Sequence, residues 1–162
     1  MESDLKKALH QSAVRIFEEI CFMFEAPEME EDASNQKAAV AISVDFNGAI
    51  KGRLVIEVSE GLFSSIAVNM LGEETPSAAQ CRDAACEVAN VICGNVLPAI
   101  AGSKLVFGVD APQVQETPVV RTAAPSAQTR IILDQGWASL MLYLRGQGEG
   151  LIRRQTELEA AK

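Results

Sequence analysis

The sequence is short of positive charge. Its 162 residues carry 14 Lys and Arg against 22 Asp and Glu, a net charge of -8, with a pI near 4.7. A nucleic-acid duplex or an anionic membrane demands a dense basic footprint. No run of Lys and Arg supplies one, so no nucleic acid and no membrane is expected as the main partner. Histidine is scarcer still, with His10 alone. The four cysteines, Cys21, Cys81, Cys86 and Cys93, form no CxxC pair. A zinc site needs about four closely arranged nitrogen or sulfur ligands, so no metal site is expected. Free thiols in a reducing cytoplasm are the simpler reading. The chain also lacks a stretch of about 18 uncharged apolar residues, the length that crosses a membrane. The opening MESDLKKALHQ is polar and mixed in charge, and is expected to be no secretory signal.

What is present suits a folded domain. Hydrophobic residues make up 48% of the chain, and about 150 residues is an ordinary domain length. Residues 1–146 are expected to form one domain, and 147–162 a polar C-terminal tail with charge and little apolar surface, chiefly at Leu151-Ile152. Leu5, Leu9, Ala13, Ile16, Ile20 and Met23 recur at helical spacing, which predicts a helix over 3–24. Pro27 and five acids make 25–37 a solvated loop. The period then changes to alternation in 39–45 and again in 50–58, with Phe46-Asn47-Gly48 between them, the signature of a hairpin. Ser59 should cap a helix that Gly72 ends. A long helix is expected from about Ser77 to Ala101, trimmed or bent by Pro98. Strands are expected over 104–109, 113–121 and 127–145, the last with a turn at Asp134-Gln135-Gly136. This order implies an α+β fold, a mostly antiparallel sheet with helices packed on one face.

The long helix carries the most information. At about 100° per residue, Asp83, Glu87, Asn90 and Gly94 fall within one narrow arc, with Gln80 beside them. Ala78, Cys81, Ala85, Val88, Ala89, Ile92 and Val96 lie opposite, as a packing face of small residues. Gly94 weakens a helix relative to Ala by about 1 kcal/mol, and close approach of a partner is one reason to tolerate that. The plain alternative is a solvated amphipathic helix. The ridge has no histidine, no serine with a base and no activated thiol. A carboxylate and a carboxamide one turn apart can still act on a bound partner. The amide both donates and accepts hydrogen bonds, so it can hold a water in line, and phosphoryl transfer asks mainly for positioning and charge stabilisation.

Asp83-x3-Glu87-x2-Asn90, followed by Pro112, resembles the signature of the CheC/CheX/FliY chemotaxis phosphatases. The order of elements over about residues 3–145 resembles the CheX branch in particular. Asn90 and Pro112 are separated by 21 residues, one fewer than in the family pattern. The resemblance implies a protein phosphatase that acts on the aspartyl phosphate of a CheY-like response-regulator receiver domain. It implies that Asn90 orients the attacking water and that Glu87 pairs with the receiver's lysine. Asp83 would support the ridge or its contact, and Pro112 would end a strand near the site. No cofactor would be bound by this chain, and Mg2+ would sit in the partner receiver. A second Glu-x-x-Asn on the first helix is missing: Asp4-x3-Ala8-x2-Gln11 lacks the glutamate. One site per chain is therefore expected, and a homodimer by analogy.

Other residues fit plainer roles. Trp137 and Tyr143 are expected in the core or a dimer interface. His10 shows no partner acid at useful spacing and reads as a surface residue. Arg145, Arg153 and Arg154 read as solvated. The rival to the enzyme is a non-catalytic receiver-binding or dimerisation module of a chemotaxis or two-component system. Glu87 and Asn90 favour the enzyme, because a pure adaptor has no chemical need for an amide on that arc.

Overall fold

A computed structural model describes residues 2–115, 117 and 123–145. The expected tail and the second half of the expected 113–121 strand lie mostly outside the described residues. The order of elements is α1 (Glu2–Cys21), a 3-10 turn (Pro27–Met29), α2 (Glu30–Ser34), β1 (Ala38–Gly48), β2 (Lys51–Ser59), α3 (Glu60–Leu71), α4 (Ala78–Ala101), β3 (Phe107–Val109), β4 (Gln113–Gln115), β5 (Ala127–Leu133) and β6 (Gly136–Arg145). The fold is α+β, as the sequence implies. The six strands form one antiparallel sheet in the order β3-β1-β2-β6-β5, with β4 also pairing with β1.

Strand alternation decides which face is covered. Val40, Ile42, Val44 and Phe46 of β1 join Leu54, Ile56 and Val58 of β2 and Leu140 and Leu142 of β6 in the main core, with α1, α3 and α4 laid over them. The opposite face carries a small buried cluster of Ala41, Val55 and Met141, flanked by Tyr143. The short α2 meets this second face at one end. There Trp137 donates its Nε1–H to the Gln36 carbonyl at 3.0 Å, and Arg130 stacks 4.7 Å from the indole centre. Trp137 is thus a buried core residue, and Tyr143 is half-buried.

Several boundaries differ from expectation for local reasons. α1 stops at Cys21, because Phe22 turns into the left-handed region at φ 56, which L residues rarely adopt. The chain then runs extended beside β5, where the Ala26 N–H donates to the Ile132 carbonyl at 2.8 Å. The hairpin turn falls at Ala49-Ile50, two residues later than expected. Strand pairing continues through Gly48 because β3 pairs along its other side, and Ile50 tucks into the core. Beyond the turn, Gly52 lies under the Phe46 ring and against the Tyr143 carbonyl, where a Cβ would overlap both.

Ser59 does stand at the N-cap of α3, but its side chain does not cap it. The Ser59 hydroxyl donates to Gln36 Oε1 at 2.7 Å and accepts from the Trp137 N–H at 3.0 Å. Gln36 Oε1 receives the Gly61 N–H instead, at 2.9 Å. Gly72 closes α3 in the left-handed conformation. α4 runs through Pro98 to Ala101. By length and composition α4 is apolar enough to cross a membrane; here its apolar side packs on the sheet and α1.

Candidate functional site

Each end of α4 is fixed locally. Ser77 Oγ accepts the Gln80 N–H at 3.1 Å, and Gln80 Oε1 accepts the Ser77 N–H at 2.8 Å. This capping box satisfies two otherwise orphaned donors. It also commits the Gln80 side chain to the helix start, apart from the ridge. Cys81, Ala85, Val88, Ala89, Ile92 and Val96 are buried as expected, while Ala78 in the first turn is exposed. With that side against the core, the arc of Asp83, Glu87, Asn90 and Gly94 faces solvent, and all four are exposed. At 1.5 Å rise per residue the ridge is about 16 Å long. Among the described residues, none hydrogen-bonds to the side chain of Asp83, Glu87 or Asn90. Two carboxylates and a carboxamide are therefore offered outward, unspent.

Gly94 ends the ridge on open ground. A Cβ there would meet no heavy atom within 4 Å, so no packing contact inside this chain demands glycine. Four residues on, Pro98 has no N–H to give the Gly94 carbonyl, and a proline ring crowds the carbonyl four residues before it. Beside Gly94, Arg15 of α1 donates from Nη2 to Asn95 Oδ1 at 2.6 Å, while Asn95 Nδ2 donates back to the Val91 carbonyl at 2.8 Å. This brings a guanidinium to the flank of the ridge. Nothing in the sequence marks Arg15, because the partner residue lies 80 positions away.

No activated thiol accompanies the ridge. Burial first, and the nearby Asp83 charge second, push the Cys86 thiol up. Burial pushes Cys93, and Cys21 with it, to about 12. What the ridge offers is hydrogen bonding and charge. Next to it, Ala39, Val40, Phe63, Ala78, Arg82 and Val114 border a cleft of about 410 Å³. Pro112 lies between β3 and β4, both of which pair with β1 at the sheet edge, a usual place for a residue with no donor.

His10 is a correction to the surface role expected of it. The imidazole is half-buried, 2.7 Å from Thr129 Oγ1 through Nδ1 and 2.6 Å from Glu25 Oε2 through Nε2. With Nε2–H donating to the carboxylate, Nδ1 is free to accept the Thr129 hydroxyl. The chain of hydroxyl, imidazole and carboxylate looks like a nucleophile with its base. Thr129, however, is 6% exposed on the sheet face that α1 covers, so the three groups act as a strut between α1, β5 and the Glu25 segment.

Comparison with known proteins follows the same outline. A family model described as chemotaxis phosphatase CheX matches residues 40–134. No curated protein matches the chain significantly. Among solved structures, CheX from Desulfovibrio desulfuricans superposes with a TM-score of 0.67 at 17% identity, covering 87% of this chain and 99% of that one. CheX from Vibrio vulnificus gives 0.67 at 18%, covering 90% and 99%. A CheX-CheY-BeF3-Mg2+ complex from Borrelia burgdorferi gives 0.59 at 13%, covering 86% and 97%.

Proposed function

The chain belongs to the family of the chemotaxis phosphatase CheX, and on that premise we propose that it hydrolyses the aspartyl phosphate of a CheY-like receiver domain. The observation that carries the reading is the free Glu87–Asn90 pair, one turn apart on the exposed ridge of α4. In this proposal the ridge docks against the receiver's active site. The Asn90 amide accepts a hydrogen bond from a water and donates another toward the phosphoryl group, holding the water in line with the aspartyl P–O bond. Water oxygen bonds to phosphorus, that P–O bond breaks, and the products are a free aspartate carboxylate and inorganic phosphate. Phosphoryl transfer of this kind needs positioning more than covalent help. Glu87 pairs with a lysine of the receiver and fixes the register. Asp83 extends the contact by one turn, and Gly94 lets the partner's backbone approach α4. The catalytic Mg2+ belongs to the receiver, and this chain supplies no cofactor.

The Borrelia CheX-CheY complex supports a CheY-like partner. A cytoplasmic location and a homodimer belong to the same proposal, as does a single functional unit over 1–146. The test is the decay of a 32P-labelled, Mg2+-loaded receiver with and without this chain. Faster decay with release of inorganic phosphate is expected. Binding without faster decay would establish the non-catalytic module in its place.

A further inference from the structure

A second surface lies apart from the ridge, where α1 and α3 both end. Asn69, near the end of α3, donates from Nδ2 to the Cys21 carbonyl at 2.7 Å, so the two helix C-termini meet. Each C-terminus carries partial negative charge, usually answered by a Lys or Arg in the last turn. Neither helix has a basic residue there. The surrounding chain adds to the imbalance. Residues 16–36 contain seven Asp and Glu and no Lys or Arg, and Glu73 and Glu74 follow α3. Two of these acids already have partners, Glu25 at 2.6 Å from the His10 imidazole and Glu19 at 3.8 Å from Arg15, while Arg130 stacks over Trp137.

Large apolar side chains stand out of this acidic field. Phe22 is 65% exposed, Phe24 57% and Leu71 48%. Phe22 also holds a left-handed backbone at φ 56, a place where glycine is the relaxed choice. The chain thus keeps an aromatic ring in water at a position where glycine fits better. The backbone around it is nonetheless fixed, with the Asp134 N–H on the Phe24 carbonyl at 3.1 Å. Exposed rings in a field of excess negative charge suit one class of occupant, since rings bind both apolar groups and cations and the acids select for positive charge.

We propose that this pole docks a basic amphipathic helical segment of another protein, its apolar side on Phe22, Phe24 and Leu71 and its Lys and Arg over Glu28 and the two helix C-termini. The proposal does not depend on the α4 ridge. The test uses the full chain and a synthetic 16-residue helix with Leu on one face and Lys and Arg on the other, titrated calorimetrically at low salt. Phe22→Ser/Phe24→Ser should weaken binding roughly tenfold, as loss of aromatic anchors does. Phe22→Gly should weaken binding while raising Tm, since it relieves the backbone and removes the ring; a purely structural role moves both the same way. The proposal is overturned if the peptide does not bind, or if the aromatic variants bind it unchanged, which would leave charge attraction alone. A shift from dimer to monomer in the double variant, read by sedimentation, would make the pole an interface between copies of this chain and also overturn it.

Discussion

A carboxamide held by no neighbour keeps its donors and its acceptor for whatever docks on α4, and a carboxylate one turn away without a partner among the described residues is equally open to it. That is the case for Asn90 and Glu87. Glu87→Ala should weaken receiver docking roughly tenfold, the cost of one charge-assisted pair. Circular dichroism should be unchanged, because the side chain is exposed. Gly94 invites a sharper trial. With nothing within 4 Å of its missing Cβ, Gly94→Ala should hold or raise stability, by up to about 1 kcal/mol. The same variant should raise KM for the phosphorylated receiver, because the methyl intrudes on the docked backbone. A drop in Tm would instead show that Gly94 serves the strain of Pro98 within this chain. All four ridge residues are legible in sequence because helical periodicity is local. Arg15 beside Asn95 is not, since only the packing of α1 on α4 joins them.

Elements are where sequence and structure diverge most. The hairpin and the long helix follow from short-range signals, the period change at residue 39 and the Ser77 cap. The end of α1 does not, because Phe22 adopts a conformation that its residue type disfavours. Nor does the capping of α3. Ser59 reads as the cap, yet Ser59 is needed by Trp137, and Gln36 reaches from the link between α2 and β1 to receive the Gly61 N–H. Gln36→Ala should therefore cost about 1–3 kcal/mol, since it leaves the buried Ser59 hydroxyl and the Gly61 N–H without this acceptor. Chemical denaturation measures it. An effect near zero would show that water substitutes freely there. β3 is shorter than expected because its extent is set by pairing with β1, a contact that no local pattern encodes.

For the whole molecule, the sheet face away from the long helices carries an ion pair between β1 and β2. Arg53 bonds Asp45 through Nε at 2.6 Å and Nη2 at 3.1 Å, which holds the Asp45 carboxyl below its ordinary range. A carboxyl lowered in the folded state stabilises the fold above its unfolded pKa, near 3.8, and that contribution fades as pH falls through the folded value. Asp45 is 42% exposed, so the pair contributes less than about 1 kcal/mol. Asp45→Asn should lower Tm slightly at pH 7 and not at pH values below the carboxylate range; an equal loss at both would mean packing rather than charge. At this scale the fold class was legible, because helix and strand periods are distinct along the chain. The place of β6 between β2 and β5 was not, since strand order is set by long-range pairing. The account rests most on α4 as a phosphatase surface. Its most direct test is the single-turnover decay of a phosphorylated, Mg2+-loaded CheY-like receiver under saturating wild-type chain or Asn90→Ala. The account predicts faster decay with wild type, and at least a roughly 100-fold loss of that acceleration in Asn90→Ala, with receiver affinity kept within a few-fold. Equal acceleration by both chains would contradict it.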